Sequence, residues 1–132
     1  MALKISLKPN EKMILGGAVI TNGANKCEFT VENNVPILRQ NNILSPEKAD
    51  TPARRIYLAI QLMYVEKKDI AVHQQLYWQL VKEFVQAAPS SLGLIDKINE
   101  LIFKENYYHA LKMAHKLFEF EQEVIQRVTQ CR

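Results

Sequence analysis

An α+β fold, with a small antiparallel β-sheet first and a bundle of about four helices second, is what the hydrophobic pattern of this chain predicts. Three observations carry it. Apolar residues alternate with polar ones up to about residue 44, they recur at helical spacing from residue 45 onward, and Ser45-Pro46 and Thr51-Pro52 mark the change. Strands followed by helices argue for α+β architecture and against a doubly wound sheet. At 132 residues the reading is one domain, 1–132, with a β-rich part at 1–44 and a helical part at 45–132. A chain of this length buries roughly two thirds of its unfolded surface and needs no disulfide or metal to fold.

Leu3, Ile5 and Leu7 alternate with Lys4, Ser6 and Lys8, and Cys27, Phe29 and Val31 alternate with Lys26, Glu28, Thr30 and Glu32. Both runs read as half-buried strands. Met13 to Thr21 is a continuous apolar run around Gly16-Gly17, and Asn22-Gly23-Ala24-Asn25 joins it to the Lys26 strand. A β-hairpin is expected there, because Asn and Gly tolerate positive φ. Val35 to Arg39 is a further strand, placed at a sheet edge because Pro36 has no N–H for a central ladder.

Ser or Thr before Pro supplies a capping oxygen and then a residue whose missing N–H costs nothing in a first turn. Thr51 therefore opens a helix running to about Glu66. A second starts at Asp69, carries Val72, Leu76, Leu80 and Phe84 at four-residue spacing, and stops at Pro89. A third, capped by Ser90 or Ser91, shows Leu94, Ile95, Ile98, Leu101 and Ile102. A fourth begins near Asn106 with Leu111, Ala114, Phe118, Val124, Ile125 and Val128 on its apolar stripe.

Charge and composition narrow the function. The net charge is +3, from 17 Lys and Arg against 14 Asp and Glu, and no run of six clustered cations exists. Any nucleic-acid site must come from local patches. The longest apolar run, Ile56 to Val65, contains Gln61 and is far short of the ~18 residues that span a bilayer. Lys4 and Lys8 break the apolar N-terminus, so no secretory signal is expected and the cytoplasm is the expected location. Cys27 and Cys131 form no C-x-x-C pair and read as reduced thiols.

Chemistry-bearing motifs are missing. Gly16-Gly17 belongs to no phosphate-binding fingerprint, and no G-x-S-x-G stands in the chain. His73, His109 and His115 lack metal-ligand spacing and read as solvated or partly packed, so no metal or cofactor is expected. Glu119, Glu121 and Glu123 read as a solvated helix face rather than paired catalytic carboxylates. The chain is not expected to be an enzyme.

Partner recognition is the better reading. Arg54 and Arg55 fall in the first turn of a helix, where cations meet the positive end of the dipole, so an anion must answer them. That anion is either a carboxylate such as Asp50 or Glu47, or the phosphate of a ligand. Lys4, Lys8, Lys12 and Arg39 form a second candidate patch, set against a solubilising role on an outward sheet face. Phe29 is the lone aromatic in the strand half, so a sheet platform for stacking bases is not supported. Tyr57, Tyr64, Tyr77, Trp78, Tyr107 and Tyr108 all fall on helices and read mostly as core. Adjacent Tyr107 and Tyr108 must face different ways, which makes one of them a candidate exposed contact, with Lys112 one turn on.

The ordered set Leu7-Lys8-Pro9-Asn10-Glu11-Lys12, Leu38-Arg39, Thr51-Pro52-Ala53-Arg54-Arg55-Ile56-Tyr57 and Tyr107-Tyr108-His109-Ala110-Leu111-Lys112 resembles the flagellum biosynthesis repressor family FlbT. The likeness runs over nearly the whole chain and ends in Lys116-Leu117-Phe118-Glu119-Phe120-Glu121. His115 stands where the family pattern leads one to expect Arg, and Phe120 where it leads one to expect Tyr. The resemblance implies a post-transcriptional regulator that associates with the 5′ untranslated region of flagellin mRNA and promotes its decay, with cellular ribonucleases doing the cutting. It also implies a link to flagellin and to the flagellin-secretion factor FlaF, so an adaptor holding a protein against its last helices is the alternative. A weaker likeness joins the strand half to the small CsrA translational regulators, through Glu11-Lys12, the hairpin and Val35-Pro36-Ile37-Leu38-Arg39. With so few cations, a monomer would bind RNA weakly, so a homodimer or a protein partner is expected to add affinity.

Overall fold

The computed structural model describes residues 2–66 and 68–130, with side chains described as far as residue 126. It contains two compact units, Met1–Ile43 and Leu44–Arg132.

The first unit holds β1 (Leu3–Leu7), β2 (Lys12–Leu15), β3 (Ala18–Thr21), β4 (Cys27–Val31) and β5 (Ile37–Arg39). β1 pairs antiparallel with β4, with Ile5 opposite Phe29. The other strands form a sheet in the order β3-β2-β5, so β5 lies at an edge as expected, although it is shorter than the expected Val35 to Arg39 and Pro36 falls just before it. Ile5, Leu7 and Met13 are buried, with Ile20, Phe29 and Ile37 packed against them. The alternation read from the sequence therefore gives the inward set apart from Leu3, which stays exposed at the start of β1.

The hairpin differs from its expectation. The apolar run 13–21 folds back on itself at Gly16-Gly17, whose φ values of 59° and 89° are those of a two-residue type I′ turn. Asn22–Asn25 joins β3 to β4 without pairing them, because β4 takes β1 instead. Asn22 makes that loop a staple. Its Nδ2 donates to Lys8 O at 2.8 Å and Asn25 O at 3.0 Å, while its Oδ1 accepts from the Gly23 amide at 2.8 Å.

The second unit holds α1 (Pro52–Val65), α2 (Ile70–Ala87), α3 (Leu92–Phe103) and α4 (Tyr107–Gln130). Thr51 caps α1 as expected, its Oγ1 accepting from the Arg54 amide at 3.2 Å. Such a cap is worth ~1 kcal/mol. At Ser45-Pro46 the Thr51 pattern is not repeated: Pro46–Lys48 is one 3₁₀ turn without a side-chain cap. Ser91 is the N-cap of α3, but its hydroxyl donates back to Ala88 O at 2.7 Å and closes the 3₁₀ turn Pro89–Ser91. Ile56, Ile60, Tyr77, Ile98, Ala114 and Leu117 are among the fully buried residues of this unit.

Two apolar stripes turn out differently. α2 buries Tyr77, Val81 and Phe84, while Val72 and Leu76 stay 60% and 46% exposed. The inward face can hold Tyr77 because its hydroxyl finds an acceptor there, Asn99 Oδ1, at 2.6 Å. On α4, Ala110, Leu111, Ala114 and Leu117 form the buried line, and Ile125 is 49% exposed. The Val128 side chain and Cys131 lie outside the described residues. No helix among the described residues is long and apolar enough to cross a membrane.

Candidate functional site

In the strand unit Lys8, Lys12 and Arg39 lie at the turn between β1 and β2, while Lys4 lies farther back on β1. Asn10 adopts φ 62° there, and Glu11 closes the turn by accepting from the Lys8 amide at 2.9 Å. The same carboxylate receives Arg39 at 3.4 Å, and Arg39 Nη2 also donates to Ser6 O at 2.8 Å. The Lys8 amide first, then the Arg39 guanidinium, hold the Glu11 carboxyl below its usual range against the opposing effect of burial. Arg39 is thus a tie between β5 and β1. Lys4 stands 3.5 Å from Glu28 in an exposed pair of small energetic value. Lys8 and Lys12 are exposed, and among the described residues their ammonium groups have no ion pair.

The helical unit separates the two arginines that the sequence places together. Arg54 Nη1 meets Asp50 Oδ1 at 2.9 Å, which lowers the Asp50 carboxyl below its ordinary range. Arg55 adds a smaller field at Asp50, yet it has no carboxylate within 4 Å among the described residues. The positive end of α1 is answered by Glu121, whose Oε2 accepts from the Ala53 amide at 3.0 Å. Glu121 therefore caps a helix rather than simply facing solvent as expected from the sequence.

Neither Tyr107 nor Tyr108 is fully exposed, because the start of α4 lies between two neighbours. Tyr107 bonds Gln74 on α2, and burial raises its phenol above the ordinary value. Tyr108 packs edge-on against Tyr64 of α1 at 6.1 Å, with Lys112 Nζ 4.8 Å from its ring centroid. Tyr108 and Lys112 thus come together, and Tyr107 faces the other way. His115 packs against Tyr57 and Phe118, both with ring centroids at 5.0 Å from its own. His73 meets Glu66 and His109 meets Asn106. Among the described residues no group of three His, Cys, Asp or Glu could hold a metal ion.

Two surfaces escape the sequence reading. Trp78, 39% exposed, and Phe103, 78% exposed, stand 5.9 Å apart across α2 and α3. A groove of about 340 Å³ opens between the start of α1, the end of α2 and α4, lined by Pro52, Leu80, Phe84, Phe120 and Val124, with Arg55 and Glu83 also on its walls. The signal for it was present in the second apolar stripe of α2, Val72, Leu76 and Leu80, which is one more than a single buried face requires.

The family model described as "Flagellar protein FlbT" matches residues 3–125. The "Probable flagellum biosynthesis repressor protein FlbT 1" of Bradyrhizobium diazoefficiens is 45% identical over 125 residues, covering 94% of this chain and 85% of that protein. The "Probable flagellum biosynthesis repressor protein FlbT" of Rhodopseudomonas palustris is 39% identical, covering 96% of this chain and 100% of the relative. The "Flagellum biosynthesis repressor protein FlbT" of Caulobacter vibrioides is 33% identical, covering 98% and 93%. No solved structure matches the chain significantly.

Proposed function

The chain belongs to the FlbT family of flagellar proteins, and from that premise we propose that it is a post-transcriptional repressor of flagellum biosynthesis that associates with the 5′ untranslated region of flagellin mRNA and promotes its decay. The observation that carries the proposal is the match to proteins called flagellum biosynthesis repressors over almost the full length of the chain. The protein acts as a binder, and ribonucleases of the cell cut the message.

The exposed cations support a phosphate-contacting role for Lys4, Lys8 and Lys12, which sit on β1, in the turn after it and at the start of β2. Arg39 and Arg54 already answer carboxylates and shape the surface more than they extend it. Three phosphate contacts on a single strand give a log–log salt slope of about −2, a shallow dependence. The test is binding of the purified protein to a flagellin leader and to an unrelated RNA of equal length over a salt series. Preferential leader binding, weakened by Lys8→Glu and Lys12→Glu with an unchanged melting curve, is the expected result. Equal or absent binding overturns direct recognition.

The aromatic pair Trp78 and Phe103 favours a second reading, an adaptor that holds flagellin or the secretion factor FlaF. Paired exposed aromatics are the kind of anchor that protein partners cover. Hydrogen exchange slowed at α2 and α3 on adding either partner supports it, and unchanged exchange counts against it.

A further inference from the structure

The groove in the helical unit does not fit a lone helix bundle. Its walls are apolar apart from Arg55, Glu83 and Glu121, and the line Val72, Leu76, Leu80 carries that apolar surface up α2 away from it. Val72, Leu76 and Leu80 follow one another at four-residue spacing, so all three share one side of the helix. From Val72 to Ala87 this strip is about 22 Å long at 1.5 Å per residue. The far wall is α4, which continues past the start of α1: Glu121 already caps Ala53, and the helix runs on to Gln130. Ile125, on that continuation, is half-exposed.

The charges on the walls are of opposite sign and lie on different helices. Arg55 rises from the first turn of α1 with no carboxylate within 4 Å among the described residues, in a position where the helix dipole disfavours it. Glu83 rises from α2, and among the described residues its carboxylate meets only the neutral amide of Gln79, at 2.8 Å. Glu121 of α4 also lines the groove, but its Oε2 already accepts from the Ala53 amide. With that carboxylate engaged at the helix end, Arg55 on one wall and Glu83 on the other make the surface complementary to itself. Turned over by a twofold axis along the groove, it sets each Arg55 against the opposite Glu83 while the apolar strips meet between them.

We propose that this groove and the α2 strip form the interface of a symmetric homodimer, in which Arg55 of one protomer pairs with the partner's Glu83. The occupant is a second copy of this chain, because the groove asks for an apolar strip, an anion for Arg55 and a cation for Glu83, and its own rim supplies all three. The footprint is two helices wide and one strip long, on the order of 500 Å² per protomer. That is the low end for specific interfaces, the size class of weak and transient association. The inference does not depend on the RNA reading, and its test contains no RNA.

Sedimentation velocity of the full chain, from about 1 to 200 µM, follows the dimer across the dissociation range of a weak interface. The wild type is expected to shift from monomer to dimer across that range. Arg55→Glu and Glu83→Arg should each weaken the dimer at least about tenfold, and the double variant Arg55→Glu/Glu83→Arg should restore it to within a few fold, since the swap rebuilds the pair with its signs exchanged. Leu76→Glu, which places a charge on the strip, should leave a monomer. All three positions are exposed, so melting curves should match the wild type. A wild type that stays monomeric throughout overturns the proposal and leaves the groove to a different protein. So does a dimer indifferent to all of these variants, which uses another face, and so does a double variant no tighter than the single ones.

Discussion

The hydroxyl of Tyr77 donates a 2.6 Å hydrogen bond to Asn99 Oδ1, joining α2 to α3 from inside the helical unit. The Tyr77 ring is wholly buried, so the hydroxyl has no water to fall back on. Tyr77→Phe removes the donor and leaves the acceptor on half-buried Asn99, at a cost of about 1 kcal/mol. Asn99→Ala strands the buried hydroxyl and costs more, about 1–3 kcal/mol. Urea denaturation of both variants and their combination measures the coupling, and the double variant should cost less than the sum.

Alkaline pH should unfold the protein through its buried phenols. Burial chiefly, with a smaller contribution from Tyr108, pushes Tyr57 up to about 12, and burial raises Tyr77 as well. Below pH 10 the phenols are protonated in both states and the stability is fully present. Above 10 the unfolded chain loses these protons first, so stability falls as pH rises until the folded phenols ionise in turn. A melting-temperature series should decline from pH 10 upward, and Tyr77→Phe should flatten the decline.

Much of the fold was legible because it rests on local pattern. Alternation marks β1 and β4, and Thr51-Pro52 announces α1 with its cap. What failed is non-local. The pattern shows that 13–21 and 27–31 are extended, but which strand pairs with which depends on β1 winning β4 across more than twenty residues. α2 carries two apolar lines, and which one turns inward depends on packing against the other helices, where Tyr77 also finds Asn99. The same division runs through the candidate site. Arg54 finds Asp50 four residues back, a partner that helical spacing suggests, whereas Arg39 finds Glu11 from 28 positions away.

That second pair makes acid sensitivity of the strand unit the next expectation. The lowered Glu11 carboxyl contributes stability above its ordinary value of 4.5 and loses it as pH falls through the lower folded value. Asp50, lowered mainly by its hydrogen bond from Arg54, behaves the same way in the helical unit. Glu11→Gln keeps the shape but removes the charge, so it should abolish the acid-dependent loss in β1 and β2 while leaving the Asp50 titration intact. Amide exchange and carboxyl chemical shifts followed by NMR between pH 2 and 6, a window around the ordinary carboxylate range, separate the two.

Gln61 fixes how the helical unit begins. It is 5% exposed, on a helix whose other buried residues are apolar apart from Tyr57. Its Oε1 accepts from the Leu44 amide at 2.9 Å and its Nε2 donates to Leu44 O at 3.0 Å, so one carboxamide satisfies both backbone groups of a single residue. No apolar replacement can do that. Gln61→Leu is nearly isosteric, yet it leaves an N–H and a C=O without partners and should cost about 2–4 kcal/mol. Chemical denaturation gives the magnitude, and exchange at Leu44 gives the cause: the amide should lose its protection in the variant even where the rest of α1 keeps its own. Protection retained at Leu44 would show that some other group holds this segment.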